Sequence, residues 1–132
     1  MLLRSGIDLV EIRRFEELNP NICERFFQRV FTENEIRDSG GSLASLAGRF
    51  AAKEAVAKAL GCGIGPVGWK EIEVLEGPNG EPILALHGAA FEAAQQIGLQ
   101  TWSISITHTG GLAAATAVAI GTAGPAAEEM TG

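Results

Sequence analysis

Two carboxylates in this chain stand in apolar company. Glu54 lies in the segment 42–60 (SLASLAGRFAAKEAVAKAL), which reads as one helix. At about 100° per residue its Leu43, Leu46, Phe50, Ala57 and Leu60 fall on one side. Glu54 projects onto that arc near Leu43 and Phe50. An unpaired carboxylate against apolar surface is costly, so the position calls for a cation, a proton or water. Lys58 follows one turn later on the edge of the arc, and Arg49 and Lys53 line its other edge. Asp8 is flanked by Ile7 and Leu9 in an apolar strand. Alone it fits a hydrogen-bonded core residue or a helix cap as well as a ligand. Taken as a pair, with no Cys or His cluster about them, the two carboxylates suit Mg²⁺, which takes one or two carboxylates together with phosphate oxygens and water.

Other residues fit an anion beside such a metal. Arg49, Lys53 and Lys58 are natural phosphate partners, although each taken singly reads first as a cation that keeps a helix soluble. His108 sits beside Thr107, Thr109, Gly110 and Gly111 at the junction of two expected strands, where hydroxyls and free amides can meet a phosphate. Gly61, Gly63 and Gly65 follow a helix and lack a GK[ST] sequence, which excludes a dinucleotide fingerprint and a P-loop. Arg13, Arg14, Arg25 and Arg29 lie among Glu11, Glu16, Glu17 and Glu24. They read as an ion-paired solvated surface or as a face for an acidic partner.

The elements that must position these residues alternate between helix and strand. Residues 2–10 suit a buried strand ending near Asp8 or Val10, and Ile12, Phe15 and Leu18 then mark a short helix that Asn19-Pro20 stops. A second helix has Ile22, Phe26 and Val30 inward and Arg25 and Arg29 outward. Thr32 and Glu35 form a capping-box signature for a third, and Gly40-Gly41 separates it from the long helix. Beyond the glycine-rich loop, Trp69 to Glu76 and Pro82 to His87 alternate around Pro78-Asn79-Gly80 and predict a β-hairpin. A helix over Ala89 to Ile97, a strand over Thr101 to Thr107, a tight turn over His108 to Gly111 and a strand over Leu112 to Ile120 complete the pattern. The first and last strands are expected to share a sheet. Residues 1–120 form one α+β domain, and 121–132 read as a flexible tail.

Composition narrows the function classes. With 132 residues there is room for one core and one site. The net charge of −6 argues against nucleic-acid and anionic-membrane binding, which need dense positive surface. All basic residues except Lys70 lie within the first 58 positions, interleaved with acids, so local positive patches remain available. MLLRSGIDLVEI reads as neither a signal peptide nor a membrane span, because Arg4 and Asp8 interrupt its apolar run. Cys23 and Cys62 lack metal-type spacing, and a reducing cytoplasmic location is the default expectation.

Three blocks together carry a resemblance: GIDLVEIRR (6–14), LAGRFAAKEAVAKALGCGIG (46–65) and SISITHTGGLAAA (103–115). Over nearly its whole length the chain resembles the holo-acyl-carrier-protein synthases, small 4'-phosphopantetheinyl transferases whose motif centres on a Lys-Glu pair followed by a Lys, here Lys53, Glu54 and Lys58. The resemblance implies the phosphopantetheinyl transferase fold, an antiparallel sheet packed on a long helix. It also implies Mg²⁺-dependent transfer of phosphopantetheine from coenzyme A to a serine of apo acyl carrier protein in fatty acid biosynthesis, releasing adenosine 3',5'-bisphosphate.

By the same resemblance Asp8 and Glu54 are metal ligands, and Glu54, Lys58 and His108 are catalytic, the latter two near the diphosphate. Arg49, Lys53, Thr107, Thr109 and the Asn79-Gly80-Pro82 turn meet the coenzyme, and Arg14, Arg25 and Arg29 receive the acidic carrier. A homotrimer with sites between subunits is also implied. The general base is left open among Glu54, His108 and a water on the metal. The chain departs from the family's usual start in having Arg4-Ser5-Gly6 before Ile7, and it carries Gly40-Gly41-Ser42 where relatives often have basic residues. Two rival readings are a non-catalytic subunit that binds coenzyme A or a carrier protein, and a different Mg²⁺-dependent enzyme acting on a small nucleotide. The first leaves a metal pair without a use, and the second leaves the arginine helices without a partner.

Overall fold

The computed structural model describes residues 1–122. Strand β1 (Leu2–Glu11) leads through short helices α1 (Arg13–Glu16), α2 (Pro20–Val30) and α3 (Glu33–Ser39) into the long helix α4 (Leu43–Leu60). A 3₁₀ turn (Trp69–Glu71), the hairpin β2 (Ile72–Glu76) and β3 (Pro82–Leu86), helix α5 (Gly88–Ile97) and strands β4 (Leu99–Thr109) and β5 (Leu112–Gly121) follow. β1, β5 and β4 form an antiparallel sheet in that order, and β2 and β3 form a separate two-stranded one. The fold is α+β, with α4 lying on the larger sheet.

Local signals set most of these boundaries. Asn19 caps α2 from just before Pro20. The Thr32–Glu35 capping box is formed in both directions, with Glu35 N–H donating to Thr32 Oγ1 and Thr32 N–H donating to Glu35 Oε1. Ser42 caps α4, and Gly61 ends it in the left-handed conformation that favours glycine.

The core gathers alanines of α4 and β5 with Val10, Val56, Leu60 and Ile104. Small side chains let helix and sheet approach closely. Gly6 of β1 lies so near α4 that a Cβ built there would fall 1.9 Å from the carbonyl oxygen of Ala55. Strand β1 is thereby seated on the turn of α4 that carries Glu54.

Several expectations change. Ile22, expected inward on α2, is 55% exposed, and Phe26, Phe27 and Val30 carry that helix's packing. Trp69 to Glu71 form a 3₁₀ turn ahead of β2 instead of its first residues. His108 lies within β4, and only Gly110-Gly111 makes the turn into β5. Gly121, assigned to a tail, is the last residue of β5 and pairs with Leu2 and Leu99, while residues 123–132 of that tail lie outside the described part of the chain. The largest change concerns α4. Its sheet-facing side is buried as expected, but the opposite side is also covered, by α3 and β2, so that Arg49 and Lys53 are buried and Lys58 alone among its residues is exposed.

Candidate active site

Asp8 and Glu54 come together at the seam between β1 and α4. Strand alternation turns Asp8 to the inner face of the sheet, in register with Ala115 of β5, and the alanine leaves space beside it. Glu54 is only partly buried, and both carboxylates line a cleft of about 440 Å³ with Leu9, Val10, Arg14, Phe15, Leu18, Phe26 and Phe50. One end of this cleft is acidic. The other is aromatic, floored by Phe15, Phe26 and Phe50, whose ring centroids are 5.6–5.7 Å apart.

The electrostatics fit a cation site. Burial, reinforced by the like charge of Asp8, raises the proton affinity of Glu54 above that of an ordinary glutamate, while Lys58 opposes the shift. Lys58 Nζ lies 3.3 Å from Asp8 Oδ1 and donates to the Ile7 carbonyl at 2.9 Å, with its side chain still half exposed. Lys58, one turn from Glu54, therefore bridges to Asp8 of the cleft and keeps half of its side chain open to an anion. Among the described residues no three His, Cys, Asp or Glu side chains cluster as a self-sufficient metal cage. Two carboxylates in an open cleft suit Mg²⁺, which keeps water and binds substrate phosphate oxygens.

The remaining predicted residues divide into four groups. Arg14 lines the cleft, and Arg25 and Arg29 are exposed on α2, so the three arginines lie on the helices at the aromatic end. His108 shares the inner face of the sheet with Asp8 by register, but it stands opposite Val10 two strands away, about 10 Å across at ordinary strand spacing. Thr107 and Thr109 point to the other face. None of these three lines the cleft of its own chain. Asn79 and Gly80 are exposed and Pro82 half-buried at the hairpin end, also away from that cleft.

Lys53, expected at the coenzyme, is instead fully buried. Its ammonium donates to Glu35 Oε1 at 2.7 Å, to the Trp69 carbonyl at 2.9 Å and to the Ile72 carbonyl at 2.7 Å, so all three donors are engaged inside the protein. Burial lowers its proton affinity and Glu35 opposes that. Arg49 is nearly buried, with Nε donating to the Val74 carbonyl at 3.1 Å and a terminal nitrogen donating to Ser45 Oγ. Sequence reasoning missed Glu35 beyond its role as a cap. The one available signal was a buried lysine in need of a counter-charge, and it became visible only once Lys53 was known to be inside.

Comparison with known proteins places the chain. Residues 4–117 match the profile of the 4'-phosphopantetheinyl transferase superfamily. The chain belongs to that family. A holo-[acyl-carrier-protein] synthase of Herpetosiphon aurantiacus is 43% identical over 91% of this chain and 100% of its own length. One from Alkaliphilus metalliredigens is 46% identical over 90% of this chain and 99% of its own. In three dimensions the chain is similar to the Helicobacter pylori holo-[acyl-carrier-protein] synthase in complex with coenzyme A, with a TM-score of 0.80 and 32% identity over 88% of this chain and 99% of that one. The family membership agrees with the fold and with the Lys53-Glu54 and Lys58 motif on α4. No helix among the described residues is long and apolar enough to cross a membrane.

Proposed function

We propose that this phosphopantetheinyl transferase is a holo-acyl-carrier-protein synthase: it moves 4'-phosphopantetheine from coenzyme A to a serine of apo acyl carrier protein and releases adenosine 3',5'-bisphosphate. The observation that carries the reading is the Asp8–Glu54 pair in a cleft whose other end is aromatic and flanked by arginines, with Lys58 bound to Asp8. It is supported by relatives of that name that match over their full lengths.

Asp8 and Glu54 are the residues that would hold Mg²⁺. That ion would offset charge on the coenzyme diphosphate and on the departing phosphate. Lys58 adds a positive charge to the diphosphate from the same turn. The serine hydroxyl loses its proton to a general base, with Glu54 positioned to serve, as its oxygen attacks the β-phosphorus and the bond from that phosphorus to the bridging oxygen of the α-phosphate breaks. Arg14, Arg25 and Arg29 orient an acidic carrier so that its serine reaches the β-phosphorus.

His108, Thr107, Thr109 and the Asn79-Gly80-Pro82 turn lie outside the cleft of their own chain, and a homotrimer with sites between subunits would bring them to a neighbour's coenzyme. The outer face of the large sheet supports assembly. Leu3, Ile7 and Leu9 of β1 are 63–64% exposed there, and Val118 and Ile120 of β5 continue the apolar surface. A cytoplasmic setting in fatty acid synthesis is consistent with these substrates.

Incubating the chain with apo acyl carrier protein and coenzyme A, with Mg²⁺ or with chelator, tests the reaction. Intact-mass spectrometry should show one phosphopantetheine added only with metal. Coenzyme binding without any mass gain would instead favour a non-catalytic subunit.

A further inference from the structure

The free edge of β2 is closed without a third strand. Its other edge pairs with β3, and residues 72, 74 and 76 direct their backbone groups away from that partner. Four of those groups are met by side chains. Lys53 donates to the Ile72 carbonyl at 2.7 Å, Glu35 Oε2 accepts from Val74 N–H at 2.9 Å, Arg49 donates to the Val74 carbonyl at 3.1 Å, and Asp38 Oδ2 accepts from Glu76 N–H at 3.0 Å.

The spacing explains why a helix can do this. Arg49 and Lys53 are one i,i+4 step apart, a rise of about 6 Å. The carbonyls of Ile72 and Val74 are two strand residues apart, about 6.7 Å. The two acids alternate with the two cations along the edge, so donors meet carbonyls and acceptors meet amides. The buried Lys53–Glu35 pair, 2.7 Å apart, ties the two halves together. Lys53 also holds the carbonyl of Trp69, whose ring stacks on Phe50 of the cleft wall with centroids 4.9 Å apart.

We propose that Glu35, Asp38, Arg49 and Lys53 form a side-chain clamp that stands in for a strand beside β2 and fixes the hairpin, with its Asn79-Gly80 turn, on the helix that carries Glu54. Lys53 and Glu35 are thus positioning residues for the coenzyme site. The lysine of the motif serves the reaction through the hairpin and through Trp69, while Lys58 faces the substrate. The proposal rests on the function proposed above, in which the turn meets the coenzyme A of a neighbouring subunit.

The acids separate a clamp from direct contact. Coenzyme A is an anion, so if the local charge acted on it directly, removing Glu35 or Asp38 would tighten binding or leave it unchanged. The clamp predicts that Glu35→Gln and Asp38→Ala each weaken coenzyme A binding, measured by calorimetry, by about tenfold, the scale of one displaced hydrogen-bonded contact. In both, the Val74 and Glu76 amides should exchange with deuterium faster than in the wild-type chain. Lys53→Met should add less to the Glu35→Gln chain than it costs alone, because the two act as one unit.

Asp38 lies at the solvent end of the clamp, so its variant keeps the contrast available even where Glu35→Gln fails to fold. Acid variants that bind coenzyme A as well as the wild-type chain or better, with Lys53→Met alone weakened, would overturn the proposal and return Lys53 to direct contact. A wild-type chain that binds no coenzyme A would overturn the assigned function and this proposal with it.

Discussion

The ammonium of Lys58 sits 3.3 Å from the carboxylate of Asp8, joining the last turns of α4 to β1 beside Glu54. Two carboxylates that line the cleft and a lysine bound to one of them thereby come together from two distant segments, and the carboxylates and the lysine have distinct expected losses. Asp8→Asn and Glu54→Gln should each lower turnover by about a hundredfold or more, the scale of removing one preorganised charge from a transition state. Thermal unfolding should show both variants folded. Lys58→Met should chiefly raise the coenzyme A concentration needed for half-maximal rate. Full activity in both carboxylate variants would remove the metal assignment.

Arg14 lines the cleft next to Phe15 of its aromatic end. Reversing its charge in Arg14→Glu should raise KM for the carrier protein about tenfold. The KM for coenzyme A should stay near its wild-type value, and the carrier effect should shrink as salt is added. Equal losses on both substrates would mean that Arg14 supports the fold.

Gly6 is the contact point of β1 with α4. Gly6→Ala places a methyl group against the Ala55 carbonyl, so strand and helix must separate. A destabilisation of about 1–3 kcal/mol is expected, as for other overpacked cores, readable from a denaturant midpoint. Because the same contact seats Asp8 opposite Glu54, the Mg²⁺ concentration needed for activity should rise as well.

Acid should weaken the hairpin and α5 first. Glu71 accepts backbone N–H donors from Gly68 and Ala89 at 2.6 Å each, which holds its carboxyl below the ordinary glutamate value of 4.5. For Glu73, burial pushes the other way, but hydrogen bonds from Thr32, His87 and Asn34 outweigh it and leave the carboxyl lowered too. A carboxyl lowered in the folded chain binds fewer protons there than in the unfolded chain. Its stabilisation is complete above the ordinary value and is lost as pH falls through the lowered one. The Tm of the wild-type chain should therefore drop below about pH 4.5, while Glu71→Gln should start lower at neutral pH and converge with it in acid. A constant Tm difference across that range would show that the Glu71 carboxylate is not responsible.

The sequence was most informative where chemistry is local. Thr32 and Glu35 announced a helix start because a capping box is satisfied within four residues, and it is present in both directions. Asp8 and Glu54 stood out because a carboxylate among apolar neighbours is anomalous whatever it faces. Ile22 misled for a related reason: helical periodicity marks an apolar arc but not which of its members a short helix manages to cover.

Strand alternation, helix period, caps and the Lys53-Glu54 and Lys58 motif thus determined the α+β class, the order of elements and the family. Whether Asp8 meets Glu54 was decided by tertiary structure, through the antiparallel register of β1 with β5 and the close seat of α4 on Gly6. So was the division of labour between the lysines. Lys53 and Lys58 are alike in sequence, five residues apart on one helix. What separates them is that α3 and β2 cover one side of α4 and not the other, so desolvation and three fixed acceptors hold Lys53 inside while Lys58 stays exposed beside Asp8. Burial of that kind is a property of packing between distant segments, and no local pattern encodes it.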